Sequence, residues 1–193
     1  MKTLPDYLAH DLDIVFVGLN PGLSSVEAGH YFANKRNRFW PALNASGLLS
    51  TPVESSDDNL LLNEGIGFTD VVKRPTRGSS DLRAADFRKW APVLREKLER
   101  YQPLVACFHG VTAFRNFWKY TEGDDEAVAL GPQKLTIGIS ATFVVPNPSP
   151  ANAAYSHDDI VRSYRKLKAF LVESRGAGRS TPAMPGQTRA RVF

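Results

Sequence analysis

Cysteine is almost missing from this chain: Cys107 stands alone among 193 residues, which excludes an intramolecular disulfide and an iron–sulfur cluster held by the chain's own thiolates. It lies in the apolar run Leu104 to Phe108 and reads as a free, buried thiol rather than a reactive one. Long hydrophobic runs are also missing. No stretch approaches the length of a membrane span, and Met1 to His10 lacks the apolar segment of a signal peptide, so a soluble, cytoplasmic protein is expected. Neither the Walker nor the dinucleotide glycine fingerprint occurs, which disfavours a nucleotide cofactor. Acids are missing from residues 174–193, which hold Arg175, Arg179, Arg189 and Arg191; this segment accounts for the whole formal charge of +4. Net charge therefore does not by itself indicate a nucleic-acid partner. A basic face would have to come from Lys35 to Arg38, Lys73 to Arg77 or Arg162 to Lys168.

What is present is a regular alternation of short apolar runs with amphipathic segments. Ile14 to Val17 reads as a buried strand, continuous and β-branched, ended sharply by Gly18 and the turn Asn20-Pro21-Gly22. Leu23 to Asn34 reads as a loop long enough to cover a pocket. Asn37 is placed to cap a helix carrying Phe39, Trp40 and Leu43, with Gly47 as its stop. After a surface connection over 50–58 and a short helical turn near 60–63, Gly65 to Val72 reads as a strand entering a basic loop. Ala84 to Tyr101 is helical in composition, with Pro92 expected to kink or divide it. A buried strand at 104–109, a helix at 111–119, an acidic mobile stretch at 121–131 and a hairpin or two short strands at 135–139 and 142–145 follow. The second of these stops at Pro146-Asn147-Pro148-Ser149-Pro150. Ser156 with Asp159 resembles a capping box that opens a helix to about Ser174. The pattern predicts an α/β fold, a three-layer sandwich whose central, mostly parallel sheet carries helices on both faces. One domain over 1–174 and a basic, disordered tail over 175–193 are expected.

Five short motifs occur in order: Gly18-Leu-Asn-Pro-Gly22, Asn37-Arg-Phe-Trp40, Gly67-Phe-Thr-Asp70 with Arg74-Pro-Thr76, Tyr101-Gln-Pro103, and Pro146-Asn-Pro-Ser149. In this order and context the chain resembles, from about Asp13 to Val172, the mismatch-specific uracil/thymine DNA glycosylases of the uracil-DNA glycosylase superfamily. The resemblance implies a monomeric enzyme with no metal or cofactor. Its partner would be double-stranded DNA, from which it removes a mispaired or damaged base by hydrolysing the bond to deoxyribose, leaving an abasic site for base excision repair.

The resemblance also assigns roles. Asn20 would position the attacking water; since an amide is no useful base, the transition state should be dissociative. Asn147 would hydrogen-bond the base where the faster, uracil-specific branch has histidine, implying modest turnover. The base pocket would comprise Gly18, Leu19, Gly22, Tyr31 and Phe32. In it Phe32 stacks on the base, backbone amides near Leu19 and Phe32 stabilise the departing anion, and Gly22 leaves room for a 5-methyl group. DNA contacts would come from Ser24, Ser25, Arg74, Ser149, Pro150, Ala151 and Asn152. Ala151 to Ala154 replace the bulky wedge usual in the family, which implies weak intercalation. Asp70, after a buried strand and before Lys73, Arg74 and Arg77, reads either as a second catalytic carboxylate kept ionised by those neighbours or as a structural acid capping the turn or pairing with Arg74. A non-catalytic nucleic-acid-binding module of the same fold and a glycosylase preferring deaminated purines are the rival readings.

Overall fold

Three five-residue runs, β1 (Ile14–Gly18), β2 (Ile66–Asp70) and β3 (Val105–His109), are buried at every position. A strand can bury both of its faces only inside a sheet that is covered on both sides. In the computed structural model, which describes residues 2–123 and 127–178, these runs are three neighbouring parallel strands of a five-stranded sheet ordered β2-β1-β3-β5-β4. β5 (Ser140–Val145) continues the parallel set beside β3, whereas β4 (Gly131–Ile137) pairs with it antiparallel. β4 alternates half-buried and exposed residues, as an edge strand does. Opposite it, the amino-terminal segment closes the β2 edge: Tyr7 and Phe68 exchange both backbone hydrogen bonds at 2.9 Å.

The two-residue period of the strands divides the core. Ile14, Phe16, Phe68, Cys107, Phe143 and Val145 face one layer, formed by α2 (Phe39–Ser46) and by Ile160, Tyr164 and Leu167 of α5 (His157–Gly178). Val15, Val17, Ala106, Phe108 and Val144 face the other, formed by Phe87, Leu94 and Leu98 of α3 (Ala84–Tyr101) and Phe114 and Phe117 of α4 (Val111–Thr121). The three-layer α/β arrangement read from the sequence is the one found. No helix among the described residues is long and apolar enough to cross a membrane.

Four local expectations change. Leu23 to Asn34 is not all loop, because Leu23–Ala28 forms α1, closed by Gly29 at φ +79; six residues are too few for a helical period to be legible. The end of the connection at 50–58 and the helical turn near 60–63 merge into one 3-10 segment, Ser55–Glu64. Pro92 does not divide α3: both Pro92 and Arg88, whose carbonyl loses its partner, are exposed, so water can take that hydrogen bond. α5 continues to Gly178, four residues beyond the expected domain limit. Residues 124–126 of the acidic stretch and 179–193 of the tail lie outside the described residues.

Candidate active site

The carboxyl ends of β1, β2 and β3 open into a cleft of about 830 Å3. Parallel sheets place ligands at such ends. The loops after β1 and β2 are joined across its floor, Thr76 N donating to Pro21 O (3.2 Å) and Leu23 N to Thr76 O (3.3 Å).

Asn20 is held by this junction. Its Nδ2 donates to Thr76 Oγ1 (2.7 Å), Arg74 O (3.0 Å) and Pro21 O (3.3 Å), while the Thr76 hydroxyl donates onward to Gly78 O (2.8 Å). Because the Thr76 proton is already committed, Thr76 can only accept from Asn20, and this orients the amide. The carbonyl Oδ1 is left over as an acceptor in the cleft wall.

Asp70 lies at the end of β2, 4 % exposed, and also lines the cleft. A methyl group at Gly18, its register partner, would stand 2.5 Å from Asp70 Oδ1, so the glycine is what allows the carboxylate its position. Of the three basic neighbours expected to keep this acid ionised, only Lys73 acts on it. Burial raises its pKa to about 6, only partly offset by Lys73 at 3.6 Å. Lys73 is itself buried and lies closer to Asp6 (2.9 Å), with the Tyr31 hydroxyl at 3.3 Å. Arg74 makes a two-pronged pair with Asp86, 2.7 Å on each prong, rather than pairing with Asp70. Arg77, the third neighbour, is exposed at the cleft.

The opposite wall is the proline-rich segment after β5. Asn147 Oδ1 accepts from Ser149 N (3.0 Å), an Asx turn that leaves the Asn147 NH2 as a donor at the cleft. Arg38 fixes the rest of this segment. Its guanidinium donates to the carbonyls of Pro148 (3.4 Å), Ser149 (2.8 Å), Asn152 (2.8 Å) and Tyr155. Sequence reading placed Arg38 in a basic surface cluster; only the folded chain brings it under a loop 110 residues later.

Tyr31 and Phe32 form the back of the cleft. Tyr31 is buried, its backbone N donating to Asp58 Oδ2 (2.7 Å) and its hydroxyl to Pro5 O (2.9 Å). Phe32, at φ +53, is half-buried and stacks on Phe39 at 4.1 Å between ring centres. His109, which sequence reading treated only as the end of a strand, lines the same wall, its ring 5.2 Å from that of Phe32. Burial drives its pKa down to about 3 and keeps the imidazole neutral.

The expected DNA contacts separate. Ser24, Ser149, Pro150, Ala151 and Asn152 line the cleft, as do Gly18, Leu19 and Gly22 of the expected pocket, and Arg36 and Arg77 join them. Ser25 lines it too but is buried, its hydroxyl accepting from Ala33 N (3.3 Å), and Arg74 is not among the lining residues. The third basic cluster is structural: Arg165 and Lys168 donate to carbonyls of Ala45 and Gly47 at the end of α2. Of the large apolar side chains exposed among the described residues, only Leu23 stands at the cleft.

A sequence model of the family described as "Uracil DNA glycosylase superfamily" matches residues 5–171. The fold is similar to a solution NMR structure of a Methanosarcina acetivorans protein given there as a candidate uracil DNA glycosylase. TM-score is 0.54 and identity 20%, and the match covers 86% of this chain and 98% of the other.

Proposed function

The chain belongs to the uracil DNA glycosylase superfamily, whose members are DNA glycosylases, and from that premise we propose that it is a monofunctional hydrolase removing uracil mispaired with guanine from double-stranded DNA. Thymine or other enlarged pyrimidines would be secondary substrates. The observation that carries the reading is Asn20. Its NH2 is consumed by Thr76 and two backbone carbonyls, so Oδ1 is presented at one fixed orientation to accept a hydrogen bond from a water. That water would attack C1′ of an extruded nucleotide as the bond to the base breaks, the bonding pair leaving with the base. Asp70, with a pKa near 6, would be largely ionised at neutral pH; it would stabilise the cationic sugar and take the proton from water.

Support for a monofunctional reaction comes from the lining: Asn, Asp, Ser and Arg side chains occur among the described residues, but no lysine that could form a Schiff base with the sugar. Gly22 supports a tolerant pocket, since a Cβ there meets nothing within 4 Å. Arg36, Arg77, Ser24 and Ser149 would contact phosphates, with Ala151 and Leu23 weak fillers of the vacated stack. The enzyme would act as a monomer, in the compartment that holds the DNA. The test is single-turnover incubation with labelled duplexes containing G·U, G·T or G·C, followed by alkali. Alkali-dependent cleavage at G·U, undiminished by chelator and with no borohydride-trapped adduct, is expected. A trapped adduct would overturn the monofunctional assignment, and no cleavage at any base would overturn the enzyme reading.

A further inference from the structure

Two of the three buried polar side-chain atoms without a hydrogen-bond partner among the described residues are on residues that line this cleft: Asp70 Oδ2, which has only the Lys73 ammonium at 3.6 Å, and His109 Nδ1. Such orphans are costly and rare in folded proteins, and each calls for a partner. Sheet register relates these two. Gly18 pairs with Asp70 and Val17 with Phe108, so Asp70, Gly18 and His109 form one row across the ends of β2, β1 and β3, with side chains on one face. The middle member has no side chain. Its place is taken by the carboxylate, since Asp70 Oδ1 lies 2.5 Å from where a Gly18 Cβ would stand, so the acid leans along the row toward an imidazole whose strand is two spacings away, roughly 9–10 Å backbone to backbone, and the ring of Phe32 stands across that of His109 at 5.2 Å between centres.

The tautomer of His109 follows from counting protons. Its Nε2 is 2.9 Å from the hydroxyl of Tyr164, a residue with no solvent exposure and, among the described residues, no other hydrogen-bond partner for that oxygen. If Nε2 carried the proton and donated, both the Tyr164 O–H and the Nδ1 lone pair would be unsatisfied. If Tyr164 donates, only Nδ1–H is left over. The second arrangement strands fewer groups and makes Nδ1 a donor. Because burial holds the ring neutral, this is a donor without a charge.

We propose that His109 reads the extruded base: Nδ1–H donates to an oxo group of the ring, selecting uracil-, thymine- and hypoxanthine-like bases over bases that present an amino group at that edge. Tyr164 is the positioning residue that holds the tautomer. This inference rests on the base-excision reading above and adds the residue that distinguishes the base. As the bond to C1′ breaks, negative charge spreads onto the ring oxygens, so the same donor strengthens its contact in the transition state.

The experiment compares affinity for a duplex with uncleavable 2′-fluorodeoxyuridine opposite guanine against the same duplex with a tetrahydrofuran abasic analogue. His109→Leu should weaken the first by about tenfold, the loss of one buried hydrogen bond, and change the second less than twofold; His109→Asn, which restores an N–H donor, should recover part of the loss. Equal loss on both duplexes, or no loss on the first, overturns the proposal. Tyr164→Phe and a long-range proton–nitrogen spectrum of the wild-type His109 carry the test should His109→Leu fail to fold. Wild type is expected with the proton on Nδ1, and Tyr164→Phe with a lowered preference for the uracil duplex; a proton on Nε2 in wild type overturns the assignment. The wild-type control separates the two readings. If it binds the 2′-fluorouridine and intact G·C duplexes alike and excises nothing, the base-excision reading itself fails; if it discriminates and His109→Leu does so equally, only the role of His109 fails.

Discussion

Asn20 and Asp70 divide between them what neither side chain can do alone. The amide orients a water but has no useful basicity, while the carboxylate has basicity but is ionised only above about pH 6. Asn20→Ala is expected to slow single-turnover excision at G·U by about 100-fold and leave a measurable remainder, whereas Asn20→Ala with Asp70→Asn should leave almost none. The sign of the pH dependence follows from the raised pKa: the active form is the carboxylate, so the wild-type rate should climb as pH rises through about 6 and then level off, and Asp70→Asn should flatten that climb. A wild-type profile without an inflection near 6 would remove Asp70 from the chemistry. Gly22 makes a separate point about size. Its backbone, at φ −74 and ψ 150, suits any residue, and a Cβ there meets open space, so Gly22→Tyr should fold normally and suppress action on thymine more than on uracil. Measured rates on G·T and G·U duplexes falling in equal proportion would count against the pocket argument.

The elements hold these residues by contacts distant in sequence. Between Pro146 and Ser156 the segment has neither helix nor strand, and its carbonyls would otherwise turn to water. Arg38 collects four of them just before α2 begins, so one guanidinium sets the position of Asn147 and Ser149 relative to Phe32. Arg38→Ala should therefore cost activity out of proportion to stability. Single-turnover excision is expected to fall about tenfold or more, as positional errors of about 1 Å do, with the thermal midpoint lowered by only a few degrees because the loop lies outside the two apolar layers. A large stability loss with unchanged kcat would show that Arg38 supports the fold rather than the loop. Arg38→Lys should not rescue, since an ammonium cannot spread its donors across several carbonyls in a plane.

For the molecule as a whole, Asp70 and His109, two buried titratable groups at the cleft, act on stability in opposite directions. Asp70 has a folded pKa near 6 against an unfolded value of 3.8, so the unfolded chain releases its proton first and stability is lost as pH rises from 4 to 6, by about 3 kcal/mol at most for this one group. His109 is held neutral to about pH 3, so the unfolded chain takes up a proton below its ordinary value of 6.5 and stability is lost as pH falls. Comparison with a variant isolates one term. Asp70→Asn should raise the thermal midpoint relative to wild type at pH 7 and by much less at pH 4, measured by calorimetry in matched buffers. A variant less stable than wild type at pH 7 would show that the carboxylate's pairing with Lys73 outweighs its burial.

Local patterning was sufficient for the sheet and its two helical layers, because short apolar runs and helical stripes are imposed by the solvent on each segment separately, and Ile14 to Val17, Leu104 to Phe108 and Ala84 to Tyr101 carry that imprint. It was also sufficient to put Asn20, Asp70 and Asn147 at strand ends, where a parallel sheet makes its cleft. What only the tertiary structure decided was which charges and protons remain free once distant groups meet. Asp86 takes Arg74, Asp6 takes Lys73, and Asp70 is left with a raised pKa. Arg38 turns inward to a loop more than 100 residues away, and Tyr164 holds the Nε2 of His109, leaving Nδ1 without a partner among the described residues. Hydrogen bonds and ion pairs act over a few ångströms in space with no fixed period along the chain, so no local pattern encodes them.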